Sequence, residues 1–416
     1  MGTRVFRSAA VAPAQQPLAL AGMIRRQAGS IDLPLLLIMV AMLTFGLIMV
    51  FSASPDFSLY NHGDPWYIFN RQVLWVALGV LVAYFLSRVD YHTWHSLILP
   101  IMLLTLGLLG AVLLVGDERF GSIRGLIAGS IQPSELAKIV TVIYLSVWLY
   151  SKREQFQDIT WGLLPMAVIL GMIGGLIYLQ PDLSATATIF LLGGLLFFLA
   201  GGDLRQIIFL FVVALVVGVL VAQVSVTGRE RMGAYWNGIQ NPLQASYHVR
   251  RSLEAIVKGG WFGAGIGRAD TKLLGLPLAA TDSIFAVIAE ELGILGALGT
   301  ILLYGGIVWR GLRIAVKAPD LLGNLLATGL TFWIATEATV NILVMVGLMP
   351  FAGNALPFIS AGGSSMVVSL MAIGILLNVS RQEKSRTDQP KRREYSALLD
   401  LRGRNRRRSV SRARRS

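Results

Sequence analysis

The sequence predicts an all-α polytopic membrane protein of about ten transmembrane helices, with a long extracytoplasmic loop between spans 7 and 8. Three observations predict it. Hydrophobic residues make up 55% of the 416 and charged residues only 14%, with a mean hydropathy of +0.65. Apolar runs of about 18 residues or more, enough to cross a bilayer as a helix, recur along the whole chain. Those runs are continuous, whereas a membrane β-barrel shows short alternating segments. There is no cysteine, which excludes disulfides, thiolate chemistry and cysteine-based metal sites. The four histidines, at 62, 92, 95 and 248, are too scattered for a structural zinc site. His92 and His95 are read as solvated or interfacial.

Residues 1–30 are polar and carry Arg4, Arg7, Arg25 and Arg26. No apolar h-region precedes their Ala-x-Ala patterns, so no cleaved leader is expected there. The predicted spans follow: 31–53, 70–88, 96–115, 134–150, 161–179, 183–200, 205–226, 282–309, 323–348 and 359–380. A cytoplasmic N-terminus puts Arg88, Lys152, Arg153, Arg205, Arg310, Arg313 and Lys317 in inside loops, as the positive-inside rule requires. Both termini are then cytoplasmic. The loop 227–281 is far longer than connections in compact domains, a mark of function. Within it Ser252 to Trp261 is partly amphipathic and is expected at the interface. The domain plan is therefore a 1–30 cytoplasmic segment, a 31–380 membrane domain and a 381–416 tail. That tail has 14 Lys or Arg against Glu383, Asp388, Glu394 and Asp400, and so holds +10 of the net +13. It suits anionic membrane lipids or a cytoplasmic protein partner. Without aromatics among its arginines, no nucleic acid is expected as a partner.

In this topology every even-numbered span starts outside, with its free amides and partial positive charge at the outer face. The unusual residues gather there. The fourth span opens Gln132-Pro-Ser-Glu-Leu-Ala-Lys138, with Ser134 as the expected cap and Glu135 and Lys138 as an i,i+3 pair. The sixth opens Gln180-Pro-Asp182, with Asp182 as cap. The eighth opens Thr281-Asp282, with Thr281 as cap. It is read as one helix to about Val308, carrying Asp282, Glu290 and Glu291 and placing Asp282 and Glu290 on one face. The tenth opens Pro357-Phe-Ile-Ser360-Ala-Gly362-Gly363-Ser364-Ser365, where small residues let a ligand reach the backbone. Capping explains any one of these. Together they argue for a polar cavity open to the outside, because charges at membrane depth are expensive and mark function. Arg71, Arg119, Arg124, Arg229, Arg231, Arg250 and Lys272 feed that face. Carboxylates beside several cations suit a phosphate or pyrophosphate substrate and a proton acceptor.

Five pieces in order carry a resemblance. They are Met49-Val-Phe-Ser-Ala-Ser54, Gln132 to Lys138, Gln180-Pro-Asp182, Thr281 to Gly293 and Asn341 to Ser365. From Ile31 to about Arg381 the chain resembles the SEDS family, the FtsW/RodA-type membrane glycosyltransferases that polymerise peptidoglycan. Its first-span signature, its Phe69-Asn-Arg-Gln72 and its basic ends are more similar to the division branch than to the elongation branch.

The resemblance implies an inverting glycosyl transfer at the outer face of the cytoplasmic membrane. Lipid II and the undecaprenyl-pyrophosphate-linked glycan would be the reactants. Asp282 matches the essential acid of the family. Glu135 and Lys138 match its charged pair. The substrate or polar-cavity set is completed by Arg71, Arg124, Gln180, Asp182, Arg231, Glu290, Ser360, Gly362, Gly363 and Ser364. A helix N-terminus would weaken Asp282 as a base, and burial near Glu290 would restore it. A divalent cation, Mg2+ or Mn2+, is the one cofactor the resemblance leaves open, with Asp282 as its candidate ligand. A class B penicillin-binding protein (a transpeptidase) and other division proteins are the implied partners. The chain departs from the family at Arg124-Gly125, where Arg-Trp is usual. It departs at Leu278-Ala-Ala-Thr-Asp282, where an acid and a His usually precede Thr-Asp, and at Ala361, where Tyr is usual. A lipid II flippase would need polar groups at both faces. A non-catalytic division scaffold would leave Asp282 dispensable.

Overall fold

The computed structural model describes residues 31–115, 117–119, 122–125, 132–152, 163–273 and 275–382. The expected 1–30 segment and the tail beyond 382 lie outside the described residues. A helix occupies each predicted span. In chain order the elements are α1 (Leu33–Ala53), α2 (Pro55–His62), α3 (Tyr67–Leu86), α4 (Trp94–Val115), α5 (Pro133–Ser151), α6 (Leu164–Tyr178), α7 (Leu183–Leu199), α8 (Leu204–Val224), α9 (Val226–Gln240), α10 (Tyr247–Gly259), α11 (Ile284–Val316) and α12 (Leu321–Met345). Helix α13 (Gly363–Gln382) follows. Between α4 and α5 lies a short antiparallel ribbon, β1 (Asp117–Arg119) and β2 (Ser122–Gly125). Six of these helices are long and apolar enough to cross a membrane. Helices α6 and α7 and the first part of α8 are shorter and apolar. The protein is thus an integral membrane protein.

Burial separates axis from rim. In α13, 72% of the most apolar window is buried, and in α12 56%, against 17% in α3. Helix α8 exposes Ile208, Phe209, Phe211, Val212, Leu215 and Val216 around its circumference, as suits a rim helix bathed in lipid. Close approach replaces hydrophobic drive between helices in lipid, so small residues sit at the seams. A Cβ on Gly374 of α13 would lie 2.6 Å from the Ala83 carbonyl oxygen of α3. The loop after α8 is partly helical. It holds α9 and α10, and α10 begins at Tyr247, five residues earlier than the predicted amphipathic piece, with Ser246 as its cap.

At the end of the bundle where α3 turns into α4, polar ties lock the axis. Asp90 and Asp320 both bond His92, at 2.7 and 2.8 Å. The Tyr91 hydroxyl donates to Asp320, and Gln382 Nε2 donates to Asp90 at 2.6 Å. Asn378 accepts from the Tyr91 amide and donates to the Ser87 carbonyl. His92 is therefore tied down rather than simply solvated. His95 approaches only the Ser151 hydroxyl, at 3.3 Å. Hydrogen bonds donated to Asp320 and Asp90 raise His92 from the usual 6.5 to about 9. Burial works against ionised Asp90, but the bonds from His92 prevail and hold its carboxyl at about 2.

A raised histidine stabilises the fold fully below its unfolded value and stops doing so as pH climbs through the folded one. The clamp's contribution should therefore persist at neutral pH and fade as pH rises through about 9. Thermal unfolding of wild type and His92→Leu, followed from pH 7 to 10, checks this. The gap between the two curves should narrow towards pH 10. A constant gap would show that the imidazolium charge contributes nothing.

Candidate active site

The starts of α5, α7 and α13, the residues before α11 and the second turn of α3 meet at one end of the bundle. Gln132 caps α5, not Ser134, because Pro133 takes the first helical position, where a missing amide costs nothing. The buried Ser134 hydroxyl instead faces Asp182 Oδ2 at 3.4 Å. Asp182 does cap α7, accepting from the Ala185 amide at 3.2 Å. The Gln132 amide donates to the Ser364 hydroxyl at 3.1 Å, joining α5 to α13. Helix α13 begins at Gly363, four residues later than predicted. Residues 357–362 form an irregular approach that packs against Thr281: Ser360 Oγ donates to the Thr281 carbonyl at 2.6 Å.

A charged cluster lies beside these ends. Lys138 Nζ is 2.9 Å from Glu135 and 2.7 Å from Glu337 of α12. Asn354 Nδ2 donates to the second oxygen of Glu337 at 2.9 Å. Asn341 Nδ2 donates to the Asn354 carbonyl at 2.6 Å and to the Asp282 carbonyl at 2.9 Å. A continuous polar path thus runs from the α5 pair to the main chain of Asp282. Around it, Ser283 Oγ, Trp333 Nε1 and Asn341 Oδ1 are buried without a protein hydrogen-bond partner, so the path has unused polar capacity. Asp282 itself is half-buried. Two carboxyl side chains share one ammonium.

The Thr281–Gly293 stretch differs from the predicted single helix. Helix starts at Ile284, capped by Ser283, and Thr281 Oγ1 bonds the Leu278 carbonyl instead of capping. The helix then breaks at Gly293, with φ 69° and ψ −168°, and resumes. Asp282 therefore precedes the helix that carries Glu290, and the two carboxylates do not share its face. Glu290 is buried and committed elsewhere. It accepts from the Asp270 and Thr271 amides at 3.0 and 3.1 Å and from the Thr271 hydroxyl. It anchors the long loop and is not the neighbour that would raise Asp282. Glu291 does the same one residue on. It accepts from Ser52 Oγ of α1 at 2.6 Å and pairs at 2.9 Å with Lys272, whose side chain is 5% exposed. Lys272 is thereby spent on structure rather than offered to an anion.

The break at Gly293 is dictated by packing. Only glycine readily adopts that backbone. A Cβ there would lie 2.4 Å from the Trp261 carbonyl oxygen and 2.5 Å from the Gly263 amide nitrogen, both backbone atoms. Gly293→Ala should cost about 3 kcal/mol of stability from strain and overlap together. Thermal unfolding in detergent reads this directly. A melting temperature equal to wild type would refute the packing argument.

The other predicted residues are more dispersed. Gln180 is buried and donates to the Leu109 carbonyl of α4 at 3.0 Å, so it braces a helix instead of lining the cluster. Arg231 stacks over Phe351 at 5.8 Å and lines a cavity of about 190 Å³ with Tyr235, Ser246, Leu253 and Met349. His248 stacks on the same Phe351 ring at 4.2 Å. Arg71 is half-buried on α3, next to Gln72. Arg124 falls on β2, and its side chain lies outside the described residues. Glu337, Asn354, Glu291 with Ser52, and Gln72 were not among the predicted site residues. Glu337 had a signal: a lone acid inside an otherwise apolar span is a functional candidate by default.

The family model described as cell cycle protein, covering FtsW, RodA and SpoVE, matches residues 33–385. Stage V sporulation protein E of Bacillus subtilis is 38% identical over 358 residues, covering 85% of this chain and 98% of that protein. A probable peptidoglycan glycosyltransferase FtsW of Trichlorobacter lovleyi is 37% identical over 355 residues, covering 84% and 93%. Among solved structures, a chain of a peptidoglycan synthase complex that coordinates polymerization and crosslinking superposes with a TM-score of 0.71 at 28% identity, covering 85% of this chain and 98% of that one. The rod shape determining protein RodA of Thermus thermophilus superposes at 0.64 with 27% identity and the same coverage.

Proposed function

The chain belongs to the cell cycle protein family of FtsW, RodA and SpoVE, and on that premise we propose that it polymerises lipid II into β-1,4 glycan strands at the outer face of the cytoplasmic membrane, in septal synthesis during division. One observation carries the reading. At the end of the bundle where five chain segments meet, Asn341 and Asn354 link the Asp282 main chain to the Glu135–Lys138–Glu337 cluster, in a chain similar to named peptidoglycan glycosyltransferases.

In this reading the GlcNAc 4-hydroxyl of one lipid II attacks the anomeric carbon of the growing chain. The bond from that carbon to undecaprenyl pyrophosphate breaks, and the configuration inverts. Asp282 takes the hydroxyl proton, because an inverting transfer needs one base on the attacking group. Arg71 and Arg124, both of the predicted site set, supply positive charge to the pyrophosphate. Among the described residues no group of three or more His, Asp or Glu side chains could hold a metal ion on its own. A divalent cation would have Asp282 as its protein ligand and would draw on the phosphates for the rest, the usual manner of Mg2+. A class B penicillin-binding protein is the partner this reading expects. The superposition on a synthase-complex chain supports that choice.

The test is polymerisation of labelled lipid II by the purified protein together with its partner transpeptidase, whose own activity is blocked. Glycan strands are the expected product. No strands from a folded, partner-bound protein would move the flippase or scaffold readings to the front.

A further inference from the structure

Asp282 can only act if its backbone is held, and the residues on either side of it are not in regular structure. Helix begins at Ile284. Leu278, four residues before Asp282, has φ 51°, and Phe358, in the strand of chain that packs on it, has φ 66°. Both are left-handed conformations that a non-glycine residue holds only when its surroundings over-determine it. The Ala280 carbonyl accepts from the Ala361 amide at 2.8 Å, and the Thr281 carbonyl accepts from Ser360 Oγ at 2.6 Å. Thus the two residues before Asp282 are fixed to 360–361. Residues 360–362 are in turn fixed by a single side chain from another helix. Gln72 of α3, only 3% exposed, donates from Nε2 to the Ser360 carbonyl at 3.1 Å and accepts on Oε1 from the Gly362 amide at 3.2 Å.

We infer that Gln72 is a positioning residue for Asp282: its amide bolts the 360–362 backbone, which carries the Ala280–Thr281 main chain and with it the catalytic carboxylate. The argument is one of valence. Two opposed backbone groups, a carbonyl and an amide two residues apart, need a side chain that donates and accepts at once. An uncharged amide does this in the buried site, and a leucine of similar volume does neither. With Gln72 gone, a buried carbonyl and a buried amide lose their partners. The strained segment then has reason to relax. A displacement of about 1 Å at a reacting group costs roughly 100-fold in rate. The inference rests on the glycosyltransferase reading, since it assigns Gln72 a part in that reaction.

Two variants test it, in the full-length protein with its partner and with labelled lipid II as the probe. Gln72→Leu should lower kcat about 100-fold, because it moves the base. Gln72→Glu should resemble it at pH 8. As pH falls towards 5.5, its kcat per folded protein should recover relative to wild type, because the protonated acid again donates to Ser360 and accepts from Gly362. If Gln72→Leu does not fold, the acid recovery of Gln72→Glu decides alone. Unchanged kcat in Gln72→Leu, or no acid recovery in Gln72→Glu, overturns the inference while leaving the activity in place. A wild type that makes no polymer overturns the underlying reading instead.

Discussion

Asp282→Asn should reduce lipid II polymerisation by about 1,000-fold or more, while the protein folds, inserts and binds its partner as wild type does. The exchange preserves size and removes only the negative charge and the proton-accepting capacity. The main chain around it stays held in the variant: the Asp282 carbonyl accepts from Asn341, and the Thr281 carbonyl accepts from Ser360. General base catalysis contributes about 100- to 10,000-fold, and an amide has no basicity to replace it. Asp282→Glu restores the charge but carries it further along the side chain. It should recover only part of the rate, because a base displaced by about 1 Å loses roughly 100-fold. Initial rates of polymer formation at saturating lipid II give both numbers. Normal polymerisation by Asp282→Asn would make this residue a main-chain anchor and send the search for the base to Glu135 or Glu337.

The helices were legible because a span announces itself by composition alone. Continuous apolar runs placed α1 and α12 within a few residues of their observed bounds. What failed was long-range. Gly293 sits in a run that reads as unbroken helix, and its φ of 69° is enforced by Gly263 and Trp261, about thirty residues away, which no local pattern reports. The late helix start, at Ile284, changed the meaning of the acids. A helix begun at Thr281 would have stacked Glu290 over Asp282. The observed one leaves Asp282 outside and sends Glu290 and Glu291 to the loop and to Ser52. Capping rules misassigned Ser134 and Thr281 for a related reason. Each hydroxyl had an alternative partner, Asp182 in one case and the Leu278 carbonyl in the other. The Glu135–Lys138 pair was readable from its spacing. Its second acid came from α12, about 200 residues on, where only the oddity of a charge in an apolar span pointed to Glu337.

That second acid makes Lys138→Met the other large effect. Lys138 is 2% exposed and Glu337 4%, and the ammonium bonds both carboxylates. Removing it leaves two uncompensated carboxylates in a buried site. Breaking a buried pair in this way costs about 3–5 kcal/mol, enough to deplete folded protein severely. The loss should come from stranded charge and not from lost packing, since methionine fills most of the lysine volume. Adding Glu135→Gln and Glu337→Gln to Lys138→Met should therefore recover most of the stability, because buried ion pairs replaced by uncharged groups are often tolerated. Glu337→Gln alone should be mild, since it leaves Glu135 and Lys138 as a neutral pair with Asn354 free to bond the new amide. Thermal unfolding of the single, double and triple variants separates these terms, as mutational cycles do for groups in contact. Activity of the refolded triple variant then assigns the cluster. If it polymerises lipid II, the charges serve only the fold. If it is stable and inactive, at least one of the three charged groups takes part at the site, because stability has been restored without them. A triple variant no more stable than Lys138→Met would refute the charge argument and leave cavity and packing as the cause.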